Sequence, residues 1–520
     1  MQISLFDGSQ RFKIDKPIRL IELFAGYGSQ ALALKYLGVP FEHYRLSEWA
    51  VKSIQAYKDM HFTDDNTDYS KDMTVAEVKA WLYGKISADY NTPMTEQQIN
   101  RLPEKQVRTI YNNMQATHNL GSITKITAND LNIVDTNKYC YLMTYSFPCQ
   151  DLSQAGQRKG MTKDSGTRSG LLWEVERLLG EMTERPQILL MENVPQVVGS
   201  TGIKDFAKWI ERLEQFGYKN YWQLLNAKDY GIPQNRNRCF MISILGDYYY
   251  TFPKSKKLTV RLKDFLNKQV DEKYYLSDKT VGMFIEHTKK QQAQSNGFKF
   301  EPTNGEGYAK CIQTKAGQRT DDNYIAEPCL GTMDEIKCEQ IGMLSGGKWD
   351  KMHDQSRRVY GVDELAPAMH TCGGGNLEPK IIELVKYGSY YTWGNNKGEI
   401  NTQCNRASDV DSYSLTIPAC SKTPNIIELI VLDEQNGYLR QDGCVGTLTT
   451  EGSSPKHNNR IVETNYRIRK LTEQECFRLM GVEQQDFEKV AKNQSTSSLY
   501  HLAGDSIVVN VLMAIFKEML

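Results

Sequence analysis

The chain has 520 residues and equal numbers of basic and acidic side chains, 63 of each, so its formal net charge is zero. A composition of 40% hydrophobic and 24% charged residues is typical of a globular protein and excludes a disordered chain. No apolar run approaches the roughly 18 residues of a membrane span. Zero net charge gives no overall basic field for nucleic acid, although a local basic face would suffice.

Length and cysteine usage narrow the class further. At roughly 100–200 residues per domain, the chain should hold two to four domains or one large domain with insertions. The eleven cysteines include no CxxC pair, so neither a zinc site nor a thioredoxin-type site is indicated. The first residues show no signal-peptide pattern, and the odd cysteine count fits a reducing cytosol.

The first 60 residues predict a strand, a glycine turn, a helix and a second strand. Residues 17–24 form a strand-like run that ends at Ala25–Gly28, and 29–37 have helical spacing with Gly38 as a C-terminal stop. Residues 41–47 predict the next strand. This order opens a doubly wound α/β sheet.

Residues 62–118 predict a helical insertion in that sheet. Thr74 with Glu77 and Thr95 with Gln98 each match a capping box and precede helix-forming residues. The sequence gives this insertion no function, and a packing role is the default interpretation.

The α/β pattern resumes at Tyr139. The predicted buried strands are 141–147, 188–192, 221–225 and 239–245, and the predicted helices between them are 173–182 and 203–216. We therefore expect a central sheet with helices on both faces.

Residues 251–300 differ in composition from the preceding part of the chain, because they carry a local net charge of +6. Four later segments, 312–327, 369–383, 415–428 and 448–463, each read as strand, polar loop and strand. Their irregular spacing argues against a solenoid, and they are either structural hairpins or loops that touch a partner. The pattern is helical again after Arg469, with a final buried helix predicted at 506–519.

The glycine turn and Glu48 together favour a nucleoside ligand. Glycines after a strand let the backbone approach a ligand, and an acidic residue at the end of the second strand is placed to bind ribose hydroxyls. The lysine of a P-loop and the third glycine of a dinucleotide motif are absent. This argues against nucleotide-hydrolysing and dinucleotide-binding enzymes.

Three further features suit catalysis at the ends of strands. Cys149 follows a buried strand and Pro148, so it is a candidate nucleophile, and the small, polar and basic run 154–160 suggests a lid. Glu192 ends the next strand as a candidate proton donor. Arg236 and Arg238 alternate by two, share a face, and suit an oxygen ligand. Each feature alone also has an ordinary structural explanation.

The combination, in this order, resembles the DNA (cytosine-5) methyltransferases of bacteria and phages. The matching stretches are LFAGYGS, SEWA, SFPCQDLSQAGQRKG, LLMENVP, AKDYGIPQNRNRCFMISI, RKLTEQECFRLMGV and GDSIVVNVLMAI. The resemblance implies an α/β fold, a Rossmann-like methyltransferase sheet with helices on both faces, plus a smaller β-rich target-recognition domain. It implies domains at 15–252 (catalytic, with the insertion), 253–464 (recognition), 465–503 (return segment) and 504–520 (a helix completing the catalytic domain).

The resemblance also implies roles for the catalytic residues. Cys149 would attack carbon 6 of cytosine, so that carbon 5 can accept a methyl group. Glu192 would hold or protonate ring nitrogen 3, and Asn193 would help to place the loop. Arg238 would bind the carbonyl oxygen of the base, with Arg236 nearby.

The methyl donor implied by the resemblance is S-adenosylmethionine, without a metal ion. Its site would comprise Phe24, Ala25, Gly26, Tyr27, Gly28, Glu48, Trp49, Ser122, Ile123, Pro148, Leu171, Asp505 and Ser506. The chain departs from the family at two of these positions. Ser122 stands where the family often has Asp, and Asp505 stands where it commonly has Asn, so the chain differs from the family pattern at these two cofactor positions.

The partner implied by the resemblance is double-stranded DNA, with the target base flipped out of the helix. The basic segment 251–300 would neutralise phosphates. The candidate DNA-binding residues are Gln150, Ser153, Arg158, Lys159, Gln318, Arg319, Asn376, Lys422, Asn425, Lys456, Asn458 and Arg460. We expect a monomer located in the bacterial cytoplasm with the nucleoid, and a companion restriction endonuclease is a possibility that the sequence leaves open.

Two alternative functions compete with DNA methylation. An RNA (tRNA) cytosine-5 methyltransferase would share the catalytic motifs, but that branch is compact and typically has a CFT-type motif, which is absent here. A non-catalytic DNA-binding relative would lack Cys149 or Glu192, and both are present. Methylation of an exocyclic amine would need an Asn/Asp-Pro-Pro-aromatic motif, which the chain does not have.

Overall fold

The computed structural model describes residues 10–148, 161, 163, 168–200, 202–293, 299–329, 340–343, 358–360, 380–381, 428–433, 438–440 and 459–520. The strands are β1 (Gln10–Arg11), β2 (Ile18–Leu23), β3 (Phe41–Ser47), β4 (Cys140–Tyr145), β5 (Ile188–Asn193), β6 (Tyr218–Asn226), β7 (Gln234–Asn235), β8 (Asn237–Leu245), β9 (Tyr248–Tyr249), β10 (Ala309–Lys310), β11 (Tyr324–Cys329), β12 (Gln340–Met343), β13 (Arg358–Tyr360), β14 (Lys380–Ile381), β15 (Glu428–Asp433), β16 (Tyr438–Arg440) and β17 (Asn459–Lys470). The helices are α1 (Ser29–Tyr36), α2 (Val51–His61), α3 (Val75–Leu82), α4 (Glu96–Arg101), α5 (Glu104–Ala116), α6 (Ala128–Leu131), α7 (Leu172–Glu181), α8 (Ile203–Gln215), α9 (Asp278–Ala293), α10 (Glu473–Leu479), α11 (Gln484–Ala491), α12 (Thr496–Asp505) and α13 (Val509–Lys517).

A six-stranded sheet in the order β3-β2-β4-β5-β8-β6 forms the centre of the protein. Strands β3, β2, β4 and β5 are mutually parallel, and β8 runs antiparallel to both β5 and β6. From β2 the chain goes first to β3 on one side and later to β4 on the other. This is a topological switch point, where ligands bind beyond the carboxyl ends of the strands in such sheets.

Alternate residues of the central strands enter two separate cores, one on each face of the sheet. Leu142 and Leu190 pack with residues of α1 and α13 in one core. Met143 and Leu189 pack with residues of α7 and α8 in the other. Every residue of β4 and β5 is buried, as expected for parallel strands covered by helices on both faces. The predicted α/β fold with helices on both faces is confirmed.

The helical insertion has a small core of its own, built by α3, α4 and α5 around Val78, Leu82, Ile99 and Val107. Both predicted capping boxes are confirmed. The side chains of Thr74 and Thr95 each accept a hydrogen bond from the backbone N–H three residues ahead. The side chains of Glu77 and Gln98 in turn accept a hydrogen bond from the backbone N–H of Thr74 and Thr95.

The protein divides into two compact units. The first unit comprises Met1–Leu276, Phe284–Ala326 and Ile468–Leu520, and the second comprises Ser277–Met283 and Glu327–Arg467. In the second unit, β13 pairs with β12 and β14, and β15 pairs with β16 and β17. The Ile-apolar-Glu ends of the four repeated segments fall within or beside β11, β14, β15 and β17.

These units differ from the predicted boundaries at 253, 465 and 504. Residues 284–326 belong with the sheet because β10 pairs in parallel with β7, and Ile312 and Ile325 are buried in the same core as α13. The predicted return segment contains the end of β17 followed by α10, α11 and most of α12, and Phe477 and Val490 of these helices are buried in that core. The final helix, α13, begins at Val509 rather than at Ser506.

Among the described residues, one segment passes a test of length and apolarity for crossing a membrane. It is Thr496–Lys517, of 22 residues and a mean hydropathy of 1.6. Because α12 and α13 divide this segment and 72% of its most apolar window is buried inside the protein, it has the character of core helices.

Candidate active site

A cavity of about 700 Å³ lies in the first unit at the carboxyl edge of the sheet. The turns after β2, β4 and β5 meet there because these strands are parallel neighbours. Its volume is within the usual range for small-molecule sites, roughly 300–1,000 Å³. The predicted site residues that line it are Phe24, Ala25, Gly26, Tyr27, Glu48, Trp49, Ser122, Ile123, Pro148, Leu171, Glu192, Asn193, Arg236, Arg238, Asp505 and Ser506.

In the glycine turn after β2, Gly26 presents bare backbone to the cavity. Gly26 has φ +57°, and a Cβ built there would meet no atom within 4 Å, so its backbone borders open space. Gly28, with φ +82°, does not line the cavity. A Cβ there would overlap His61 Nε2 and the Tyr57 ring, so this glycine is required for packing behind the turn.

Glu48 is held at the carboxyl end of β3 with its carboxyl group directed to the glycine turn. It accepts hydrogen bonds from the backbone N–H groups of Gly26, at 2.8 Å, and Ala50, at 2.7 Å. Burial raises the pKa of Glu48 to about 7, against the lowering effect of these hydrogen bonds. Its protonation state therefore changes near neutral pH.

A buried asparagine that the sequence analysis missed joins Glu48 to the segment before Ser122. The Asn119 side chain accepts from the N–H groups of Glu48, at 3.1 Å, and Gly121, at 2.9 Å, and donates to the Glu48 carbonyl at 3.0 Å. Asn119 therefore fixes the spacing between Glu48 and the segment that leads to Ser122. An Asn two residues before a Gly-Ser pair was the available signal, and it is a weak one.

The second half of the cavity contains one buried carboxyl group, that of Glu192. Glu192 is 5% exposed, accepts a hydrogen bond of 2.5 Å from the Ser146 hydroxyl, and pairs with Arg238 Nε at 3.2 Å. Asn193 donates to the Phe147 carbonyl at 2.9 Å and so holds the turn that leads to Pro148. Ser146 begins the stretch SFPCQDLSQAGQRKG, which carries the family resemblance. Its contact with Glu192 depends on the pairing of β4 with β5, which the local sequence does not reveal.

The two arginines share a face, as predicted, but their surroundings differ. Arg236 Nη1 and Arg238 Nη2 both approach Cys311 Sγ, at 3.2 and 3.6 Å. Burial opposes ionisation of the Cys311 thiol, but the two guanidinium groups bring the net pKa below its ordinary value. The sequence analysis gave Cys311 no role.

Arg236 is 4% exposed and binds backbone carbonyls. It donates to the carbonyls of Ile312 at 3.0 Å, Gly504 at 2.9 Å and Ser506 at 2.7 Å. These contacts fasten the segment after α12 to the sheet. The Ser506 hydroxyl also accepts a hydrogen bond of 2.8 Å from Tyr27, so the C-terminal segment is attached to the glycine turn as well.

Several predicted site residues lie outside the described residues: Cys149, Gln150, Ser153, Arg158, Lys159, Asn376, Lys422, Asn425, Lys456 and Asn458. Arg460 lies in β17, and its side chain is outside the description. Gln318 is exposed, and Arg319 pairs with Asp321 at 2.9 Å. Within the described ranges, no group of three or more His, Cys, Asp or Glu side chains could hold a metal ion.

The switch-point cavity, with a buried acid beside a glycine turn, is the arrangement of an α/β enzyme that binds a nucleoside-containing ligand. A family model described as "C-5 cytosine-specific DNA methylase" matches residues 97–520. The chain therefore belongs to the C-5 cytosine-specific DNA methylase family. It is a DNA (cytosine-5) methyltransferase, and the family prediction is confirmed over the RNA-modifying and non-catalytic alternatives.

Named relatives agree with this family. The type II methyltransferase M2.ScrFI of Lactococcus lactis subsp. cremoris is 38% identical over 268 residues, which are 51% of this chain and 71% of that protein. The orphan methyltransferase M.SssI of Spiroplasma monobiae is 37% identical over 299 residues, covering 56% and 76% of the two chains. The orphan methyltransferase M.Rho11sI of Bacillus phage rho11s is 26% identical, covering 97% and 98%.

Proposed function

We propose that the protein transfers a methyl group from S-adenosylmethionine to carbon 5 of cytosine within one short duplex DNA sequence. A single observation carries this proposal. One cavity of about 700 Å³ joins the side with Glu48, Trp49 and Ser122 to the side with Glu192 and Arg238. A nucleoside cofactor and a cytosine ring would therefore share one space.

The residues on the first side fit S-adenosylmethionine. Glu48 would accept the ribose hydroxyls, Trp49 and Ile123 would border the adenine, and the bare backbone at Gly26 would allow close approach, since a side chain there would enter the cavity. When bound, this cofactor supplies an electrophilic methyl group on sulfur. Pro148, Leu171, Asp505 and Ser506 complete the proposed pocket.

The residues on the second side fit a cytosine ring. Glu192 would bind ring nitrogen 3, with the Ser146 hydroxyl and Arg238 fixing the orientation of its carboxyl group. Arg238 would also bind the carbonyl oxygen of the base, as the resemblance implies. For Arg236 we propose a positioning role in place of the catalytic one, because its terminal nitrogens are engaged by three carbonyls.

Cys149 would supply the nucleophile. As the thiolate, its sulfur would form a bond to carbon 6, and the electron pair of the ring double bond would move to carbon 5. Carbon 5 would then take the methyl group as the methyl–sulfur bond of the donor breaks, which would leave the donor as a neutral thioether. A base then removes the proton from carbon 5, the ring double bond re-forms, and the bond from sulfur to carbon 6 breaks. The residue before it, Pro148, is fixed through its carbonyl by the Ser169 hydroxyl at 2.8 Å. This contact supports a defined starting point for the catalytic loop.

A cytosine stacked in a duplex cannot reach a cavity at the edge of the sheet, so we propose that it is flipped out of the helix. The basic segment 251–300 and the polar loops of the repeated segments would bind the DNA. We place the reaction in the bacterial cytoplasm on nucleoid DNA and expect a monomer to act. The named relatives include both a type II and orphan methyltransferases, so the presence of a companion endonuclease requires a separate test.

The test is expression in a host without cytosine methylation, followed by base-resolution sequencing of 5-methylcytosine. The control is the Cys149→Ser protein, which removes one reactive atom with little change in volume. We expect methylation at one short motif and none in the control. A folded protein that leaves every motif of that genome unmethylated, and that also fails to methylate duplexes of random sequence, would refute the proposal.

A further inference from the structure

The helical insertion contributes to the cavity, although no sequence pattern indicated a function for it. Its helices α3, α4 and α5 pack on one another. Only some residues of the stretch that connects α3 to α4 belong to that core. Gly84, Tyr90, Asn91, Pro93, Met94 and Thr95 from this stretch line the same cavity as Glu48 and Glu192. We name residues 84–95 the insertion wall.

The insertion wall is bonded through backbone atoms to both segments that would flank the adenine. The Ser87 N–H donates to the Trp49 carbonyl at 2.7 Å, and the Val51 N–H donates to the Ser87 carbonyl at 2.9 Å. On the other side, the Ser122 N–H donates to the Lys85 carbonyl at 3.0 Å. The wall is therefore fixed in position relative to Trp49 and Ser122.

Tyr90 is the residue of this wall with the most unusual conformation. Its φ is +65°, in the left-handed region that residues other than glycine rarely adopt. Such a residue persists when its surroundings hold it there, and these residues cluster at functional sites. Asp89 stabilises the turn by accepting from the N–H groups of Asn91, at 2.9 Å, and Thr92, at 2.8 Å.

The Tyr90 ring connects the insertion to helix α12. It stacks on the His501 ring with centroids 3.9 Å apart and planes 29° apart, and its hydroxyl is buried beside Ser53 and Ser498. His501 Nε2 in turn lies 2.9 Å from a carboxylate oxygen of Asp505, another residue of the cavity. Because the hydroxyl points into the protein, the part of Tyr90 available to a ligand is its ring.

We propose that the insertion wall is a part of the cofactor site and that Tyr90 is a cofactor-binding residue, with its ring packed against the adenosyl group. This inference rests on the proposed S-adenosylmethionine site. It gives the insertion a direct function in the reaction, which is to complete the pocket around the nucleoside. A flat aromatic surface is suited to this contact, since it adds apolar area at low cost in conformational entropy.

The experiment measures binding of S-adenosylmethionine and of 5′-methylthioadenosine, which has the nucleoside without the amino acid, to the full-length protein by calorimetry. Tyr90→Gly removes the ring and suits the positive φ, so the backbone is relieved rather than strained. Tyr90→Phe keeps the ring. Tyr69→Ala, at an insertion residue that is 41% exposed and outside the cavity, is the matched control.

We expect Tyr90→Gly to weaken both ligands about tenfold, while Tyr90→Phe stays within twofold of wild type and Tyr69→Ala is unchanged. In steady-state assays, KM for S-adenosylmethionine should rise about tenfold with kcat changed less than twofold. If Tyr90→Gly does not fold, Tyr90→Leu, which keeps the bulk without the flat surface, should show a loss of about threefold or more.

Two results would overturn this inference while the proposed cofactor stands. One is unchanged binding of both ligands in the Tyr90→Gly or Tyr90→Leu protein. The other is a loss confined to S-adenosylmethionine, which would place the contact at the amino-acid end. If wild type itself does not bind S-adenosylmethionine, the proposed cofactor fails, which is a separate result.

Discussion

Replacing Arg236 with methionine would distinguish a positioning role from the catalytic role that the sequence suggested. Methionine keeps much of the apolar length of arginine but removes the donors to the carbonyls of Ile312, Gly504 and Ser506. Each hydrogen bond from a charged donor contributes about 1.5–3 kcal/mol. Removing the buried guanidinium also relieves a desolvation cost of several kcal/mol, so we expect a net loss of about 2–4 kcal/mol of stability.

The assay for Arg236→Met is unfolding of the full-length protein in urea, followed by circular dichroism, together with methylation activity under stabilising conditions. Arg238→Met is the control, because Arg238 pairs with Glu192 and lines the same cavity. We expect Arg236→Met to lose stability and to retain measurable methylation. We expect Arg238→Met to retain its stability and to lose methylation. Undiminished stability with complete loss of methylation in Arg236→Met would refute the positioning role.

Two further predictions concern the two halves of the cavity. Because burial raises the pKa of Glu48 to about 7, its ionised form, the better acceptor for ribose hydroxyls, is lost as the pH falls through 7. Binding of S-adenosylmethionine should be about tenfold weaker at pH 6 than at pH 8, by calorimetry, and this dependence should vanish in Glu48→Gln; a flat profile in wild type would contradict this role. Ser146→Ala removes the 2.5 Å hydrogen bond to Glu192, so kcat should fall about tenfold with cofactor affinity unchanged. An unchanged kcat in single-turnover methylation would show that the Ser146 contact does not orient the carboxyl group.

Local features of the sequence predicted the fold well. The strand 41–47 was predicted with the bounds that the structure has, and both insertion capping boxes form at Thr74 and Thr95. Each depends on residues a few positions apart, so the chain carries the whole signal locally. The glycine turn and Glu48 were indicated for a similar reason, since parallel strands bring their carboxyl ends to one edge, whereas the other cofactor residues were implied by the family resemblance.

Features that depend on distant pairing could not be predicted. The assignment of residues 284–326 to the first unit rests on the two-residue strand β10 pairing with β7, which has no hydrophobic periodicity to reveal it. Arg236 and Arg238 lie on one face, and their roles are separated by distant contacts: Arg236 binds the carbonyls of Ile312, Gly504 and Ser506, whereas Arg238 pairs with Glu192. Tyr90 reaches the cavity because the insertion bonds to Trp49, and no sequence pattern indicates that contact.

The measurement that tests the central claim most directly is capture of the covalent intermediate. The wild-type protein is incubated with S-adenosylmethionine and a duplex that carries 5-fluorocytosine at its target base, where the fluorine cannot leave as a proton would. We predict an adduct, seen by denaturing mass spectrometry, with the mass of the protein, one DNA strand and one methyl group, mapped to Cys149 and absent in Cys149→Ser. Methylation of ordinary cytosine without any such adduct, or an adduct at another residue, would contradict the account.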